Sequence, residues 1–428
     1  FETQAKTYQL LQYVLIYLRR SNDALEIAER GRARAFIELI GSRLQKEAKN
    51  DSNLNQHLLA KPITLAQIQE VSKTQNATLV EYSLISPSNL AIWVVQPTGK
   101  VTFRQTTLQK LDTSLEQAAE KSRVAAALGM NVRSNVRSPD LEMPQLVQQT
   151  RNAIQATDAT ATEPVSTPAA SSTSKRRLNR RLRDLHQILI EPIADLLPTN
   201  PTERVIFVPQ GALFLVPFAA LQDADRQYLI EKHTLLTAPA IQVLQLTGKK
   251  RQQQSVASAP VPLIVGNPTM PAFGNPPTPL STLPNAEAEA IAIANLFRTQ
   301  AILGKEATED FVVKQMPRSR IIHLATHGLL EDFSGLGSPG AIALAPTPDT
   351  DGFLTANEIL NLSLNADLVV LSACDTGRGR ITGDGVVGLS RSLISAGATR
   401  VVVSLWPVPD DSTAVLMTEF SRQILKNP

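Results

Sequence analysis

The chain has 428 residues, 43% hydrophobic and 19% charged, which excludes a disordered tail and makes room for about two to four structural units at ~100–200 residues each. Forty-two Lys and Arg against 39 Asp and Glu leave a net charge of +3, too little over this length to attract nucleic acid or membrane in general. No run of about 18 apolar residues spans a bilayer, and a single cysteine makes neither an intramolecular disulfide nor a Cys-rich zinc site, so a reducing, cytoplasmic setting is expected.

From Thr7 to Glu47 the apolar residues fall at helical spacing around a break at Asn22-Asp23, with Leu10, Leu11, Val14, Leu15 and Leu18 before it and Leu25, Ala28, Ala35, Phe36 and Leu39 after. The small residues Ala24, Ala28 and Ala33 let a second helix approach closely, and residues 1–50 resemble the end of a tetratricopeptide array. Repeat units bury their apolar faces by stacking, so further repeats are expected before Phe1, with a regulatory protein partner on the exposed face. An ordinary helical hairpin packed on the next domain is the competing reading.

Residues 60–155 read as a small α+β part. Thr78 to Ile85, Leu90 to Gln96 and Lys100 to Thr106 form a meander, followed by helices near Leu111 to Leu128 and Met143 to Ile154. Residues 156–180 read as a flexible linker, because Ala156 to Ser174 is almost entirely Ala, Thr, Ser and Pro. The basic run Lys175-Arg176-Arg177, Arg180-Arg181 and Arg183 then opens a helix to about Leu197. It reads as a solvated face, an electrostatic docking surface or an exposed cleavage site.

Residues 181–428 alternate β-rich apolar runs with helical ones, as a mostly parallel sheet covered on both faces requires. The strands fall at Val205 to Val208, Leu263 to Gly266, Ala301 to Leu303, Ile321 to Ala325, Leu368 to Leu371 and Val401 to Leu405, with helices near Ala286 to Phe297, Glu309 to Gln315, Val386 to Ala396 and Ser412 to Leu425. With no strand after the last helix, the domain is expected to be incomplete at its C-terminal end.

Parallel sheets place ligands at the carboxyl ends of their strands. One run there ends in Thr326-His327-Gly328 and another in Ala373-Cys374-Asp375. If the two strands are neighbours, thiol and imidazole meet. The imidazole then raises the thiolate fraction and later protonates a leaving amine, as acyl transfer through a thioester needs. Gly328 lets substrate backbone approach, and its N–H with that of Cys374 suits an oxyanion. His323 is expected to be structural. His57, His186 and His233 have no partners of suitable type. His323 and His327 are expected to have no carboxylate partner nearby, so a metal site is not expected.

His-Leu-Ala-Thr-His-Gly at 323–328 and Leu-Ser-Ala-Cys-Asp-Thr-Gly at 371–377 resemble the signature of the CHAT domain family. Val208-Pro209-Gln210-Gly211, Leu215-Val216-Pro217-Phe218, Gly266-Asn267-Pro268, Leu283 to Glu287, Gly352 to Thr355 and Val403 to Trp406 resemble further family blocks in order. The resemblance covers the chain from about Ile63. It implies a caspase-like α/β/α sandwich and a cysteine endopeptidase of the clan of caspases, separases and gingipains, acting on a protein substrate through the dyad His327 and Cys374 without metal or cofactor. Loops after the nucleophile rearrange in that clan, so Thr376 to Gly385 is expected to be a flap. It lacks the ending of a phosphate-binding loop.

Near where the clan places its primary pocket stand Asp375, Trp406, Asp410 and Asp411, and no cluster of bases. Cleavage after Arg or Lys is therefore expected. Capping of the helix from Ser412 is an equal use for Asp410 or Asp411, and a core position an equal use for Trp406. The competing function is a catalytically latent or inactive caspase-like scaffold acting as an interaction module.

Overall fold

The computed structural model describes residues 2–32, 34–47, 62–86, 89–107, 143–162, 168–253, 262–274, 276–329, 339–373, 380–382, 385–406 and 408–426. Of the expected elements, the helix near Leu111 to Leu128 lies outside the described residues. The chain divides into two compact units, residues 1–33 with 62–244 and residues 34–61 with 245–428.

Among the described residues the α-helices longer than one turn are α1 (Glu2–Tyr17), α2 (Ser21–Arg30), α3 (Arg34–Glu47), α4 (Leu65–Gln75), α5 (Met143–Thr162) and α6 (Pro168–Leu189). They continue with α7 (Ile241–Gln253), α8 (Pro284–Phe297), α9 (Glu309–Gln315), α10 (Ala356–Asn361), α11 (Leu389–Ala396) and α12 (Asp410–Lys426). The strands of the first unit are β1 (Ala77–Leu84), β2 (Asn89–Val95), β3 (Val101–Thr107), β4 (Arg204–Val208) and β5 (Thr234–Thr237). Those of the second, apart from two short hairpins, are β6 (Leu263–Pro268), β7 (Ile302–Gly304), β8 (Ile321–Ala325), β9 (Gly328–Leu329), β10 (Ala341–Ala343), β11 (Phe353–Thr355), β12 (Leu368–Ser372) and β13 (Val401–Val402).

The first unit is built on a mixed sheet of order β3-β2-β1-β4-β5. The expected meander is present, but it is not a separate subdomain: β1 pairs in parallel with β4, Ala77 opposite Arg204 through Glu81 opposite Val208. Alternation sends Val80, Tyr82, Ile92 and Phe207 to a core with Leu146 of α5 and Leu185 and Leu189 of α6. Leu79, Trp93 and Ile206 face the other way, against Leu25 and Ala28 of α2 and Ile68 of α4. Helix α4 starts where Thr64 and Gln67 form a reciprocal capping box, and it ends at Asn76 in a left-handed conformation.

The N-terminal break falls earlier than the sequence pattern suggests. Arg19 turns left-handed at φ 60°, α2 begins at Ser21, and Asp23 sits in its first turn, paired with Arg20 at 2.6 Å. An acid there favours the positive end of a helix dipole, so Asp23 starts a helix and does not interrupt one. Over the segment read as a linker, α5 runs to Thr162 and α6 starts at Pro168. Alanine is the best helix former and proline suits a first helical position, so this composition supports helix as well as linker.

The second unit carries a wholly parallel sheet, β13-β12-β8-β6-β7, and a small antiparallel sheet, β9-β10-β11. Leu263, Val265, Ile322, Leu324, Val369 and Leu371 share one core with Val312 of α9, Ile359 of α10 and Leu393 of α11. Ile264 faces the opposite core, with Ala290, Ile293 and Ala294 of α8. The sheet is therefore sandwiched between helices. β13 is only two residues long, and Gly385–Val387, expected to open a helix, pairs instead with Arg380–Thr382. No described helix is long and apolar enough to cross a membrane.

Candidate active site

β8 and β12 are adjacent and in register, Ala325 opposite Ser372, so their carboxyl ends stop at the same level. His327 stands two residues beyond Ala325. Cys374, two residues beyond Ser372 in sequence, lies outside the described residues, as does Asp375. Of the expected flap, residues 376–379 and 383–384 also fall outside them.

The His327 main chain is held from one side. Its carbonyl accepts from Ala343 N at 3.0 Å, and the buried Thr326 hydroxyl donates to the Ala343 carbonyl at 2.8 Å. Its ring is held from another: Nε2 lies 2.8 Å from the Ser281 carbonyl and 3.3 Å from the Ser281 hydroxyl. A carbonyl only accepts, so Nε2 donates to it, and in the neutral ring Nδ1 is the nitrogen that holds the lone pair. Nδ1 makes no hydrogen bond to a described residue.

Ser281 is held in turn by the end of β6. Asn267, left-handed at φ 42°, accepts from Leu283 N at 2.8 Å through Oδ1 and donates to Glu287 Oε2 at 2.9 Å through Nδ2. Gly266 lets α8 lie directly on the strand, since a Cβ there would sit 2.4 Å from Ala290 Cβ and 2.7 Å from the Ala286 carbonyl. The Gly266-Asn267-Pro268 and Leu283 to Glu287 blocks thus have one job: they fix the segment that orients His327. Sequence reading missed Ser281 because it acts through a main-chain oxygen that any residue carries. The Gly266-Asn267-Pro268 run that closes β6 was the available signal.

Gly328 pairs with Ile342 across β9 and β10. The bond from Ala343 N to His327 O makes this a non-hydrogen-bonded pair, so the Gly328 N–H points away from β10. His323 lies on the opposite side of the sheet from Leu324, bonded through Nε2 to Glu289 Oε1 of α8 at 2.6 Å, with both side chains almost wholly buried. Arg391 lies over the Phe36 ring at 5.2 Å.

The remaining candidates stand at the start of α12. Asp410 Oδ2 accepts from Asn285 N at 3.2 Å, in the first turn of α8, and burial raises its pKa from the ordinary value. Asp411 is exposed and its Oδ1 accepts from Ser412 N at 2.7 Å, while Trp406 is half-buried. Asp410 therefore binds the start of α8, a different helix from the one that begins with it.

A parallel sheet between two helical layers, with histidine at the carboxyl end of one central strand and the chain's cysteine just beyond its neighbour, defines a caspase-like α/β protein. The CHAT domain family model matches residues 179–428, more than half of the chain, and the chain belongs to that family. Among curated proteins it is similar to tetratricopeptide repeat protein 28 of Mus musculus, 26% identical over 532 aligned residues covering 99% of this chain and 21% of that protein. The Homo sapiens protein of the same name is 27% identical over 521, with the same coverage. The chain spans about a fifth of the length of these relatives.

Proposed function

We propose that the protein is a cysteine endopeptidase with Cys374 as nucleophile and His327 as acid and base. The observation that carries this reading is the 2.8 Å contact from His327 Nε2 to the Ser281 carbonyl: with Nε2 donating there, Nδ1 of the neutral ring is the basic atom at the carboxyl end of the sheet. Nδ1 takes the Cys374 thiol proton as sulfur attacks the peptide carbonyl carbon, and the N–H groups of Gly328 and Cys374 hold the oxyanion. The C–N bond then breaks, and the same proton leaves with the amine. Water attacks the thioester, His327 takes a proton from it, and release of the acid restores the thiol.

The side chain before the scissile bond is basic, selected by Asp411 and Asp375 with Trp406 as a wall. Asp410 contributes less, since one of its oxygens is engaged by α8. Activity responds to a protein bound on the helical repeat. Supporting this, Leu10, Tyr13, Tyr17 and Leu18 of the α1 segment are each at least half exposed, and the relatives are named as tetratricopeptide repeat proteins.

The test is a fluorogenic peptide panel with Arg, Lys, Asp, Asn or Leu before the scissile bond, comparing wild type with Cys374→Ala and His327→Ala. Cleavage after Arg or Lys, lost in both variants, is expected. Cleavage after Asp or Leu refutes the basic preference and keeps the dyad. Silence toward every peptide, with no labelling of Cys374 by a mild alkylator at neutral pH, refutes the peptidase.

A further inference from the structure

Three arginines of the basic run of α6, unlike the buried Arg181, are not spent on the fold. At about 100° per residue, Arg176, Arg180 and Arg183 fall within an arc of about 60°, opposite the stripe of Leu178, Leu182, Leu185 and Leu189 that packs on the sheet. These three side chains line an open concavity of about 490 Å³ together with Asn179 and Arg226. Arg226 reaches it from a turn in the left-handed conformation, φ 66°, where an arginine is uncommon. That turn is braced by Arg226 N donating to the Asp223 carbonyl at 3.2 Å and Gln227 N donating to Asp223 Oδ1 at 2.9 Å.

None of the four guanidinium groups has an ion-pair partner among the described residues. Asp223, three residues before Arg226, is instead bound to Lys232. Four like charges around one hollow repel each other until an anion enters. We infer that this concavity is a binding site for a chain of consecutive phosphates.

Three features select that chemistry. The guanidinium fork matches phosphate oxygens two at a time. The span from Arg176 to Arg183 is about 10 Å along the helix, longer than one phosphate and suited to two or three in a row. No aromatic or aliphatic residue is among the described lining, so nothing there holds a base or a peptide's apolar side chains, and charge alone is read.

The experiment is calorimetric titration of the 428-residue chain with inorganic tripolyphosphate at physiological salt. Saturable one-to-one binding is expected, weakened by about tenfold or more in Arg180→Gln/Arg183→Gln and unchanged in Arg177→Gln, a neighbour outside the lining. Orthophosphate should bind more weakly and ATP no more tightly than tripolyphosphate. The inference is overturned by absence of saturable binding, by equal loss in Arg177→Gln, by no loss in the double variant, by ATP binding more tightly than tripolyphosphate, or by an oligoglutamate peptide binding as well. The arginines stand at the surface, away from the core, so the variants test binding and not folding.

Discussion

Each of the two five-stranded sheets is covered by helices on both faces, and each carries a buried ionisable residue inside a strand, but the two solve that problem differently. In β1, Glu81 meets Arg32, whose Nε lies 3.0 Å from Oε1, and a second carboxylate, Glu29 of α2, is close by. Arg32 also donates to the carbonyls of Tyr82 and Pro209, the latter at 2.7 Å, while Glu29 accepts from Ile241 N and Gln242 N at 3.1 and 3.0 Å. In β8, a single carboxylate, Glu289, faces a single imidazole, His323.

The stoichiometry makes the difference. Two acids share one base in the first sheet, and burial raises both carboxyls, Glu81 furthest because it lacks the main-chain donors that help hold Glu29 ionised. Arg32 cannot shed its proton, whereas an imidazole can. The first cluster therefore ties α2 and the start of α7 to the sheet at a standing electrostatic cost. The second is a single pair, joining β8 to α8 near the carboxyl end of the strand.

The comparison breaks most visibly in activity. His327→Ala should lower peptide cleavage by at least about 100-fold while leaving the urea midpoint nearly unchanged, because among the described residues the ring bonds only to Ser281. Next in size, Arg32→Met strands two buried carboxyls and should cost about 3–5 kcal/mol in urea unfolding of the first unit. Glu289→Ala should cost less, about 1–3 kcal/mol, since it removes one hydrogen-bond partner of one buried ring; an equal or larger loss would refute the contrast.

Gly266→Ala forces the Ala290 methyl and the α8 backbone away from β6 and should cost about 1–3 kcal/mol, with a fall in activity from the displaced Ser281 segment. The smallest effect is a pH slope. With folded pKa values raised above the ordinary 4.5, Glu29 and Glu81 contribute stability that is full below that value and lost as pH rises through their folded pKa values. The first unit should therefore unfold at lower urea as pH rises above about 5, and Glu81→Gln should flatten the slope. A slope unchanged in Glu81→Gln would place the proton elsewhere.

Legibility followed the range of the physical signal. Most of the strands were readable because they depend on neighbours a few residues apart. The start of α2 at Ser21 was misplaced because Asp23 serves a break and a helix start with the same chemistry. The tie between Asp410 and Asn285 crosses 125 residues and leaves no local mark.

From sequence alone follow the alternation that makes each strand two-faced, the histidine after one apolar run and the cysteine after another. The tertiary structure decided which runs are neighbours. It put β8 beside β12, joined the early meander to β4 as one sheet, and chose the Ser281 carbonyl to hold the His327 ring. Strand pairing and main-chain hydrogen bonds use groups that every residue carries, so their partners are set by the packing of the whole unit and not by any residue type.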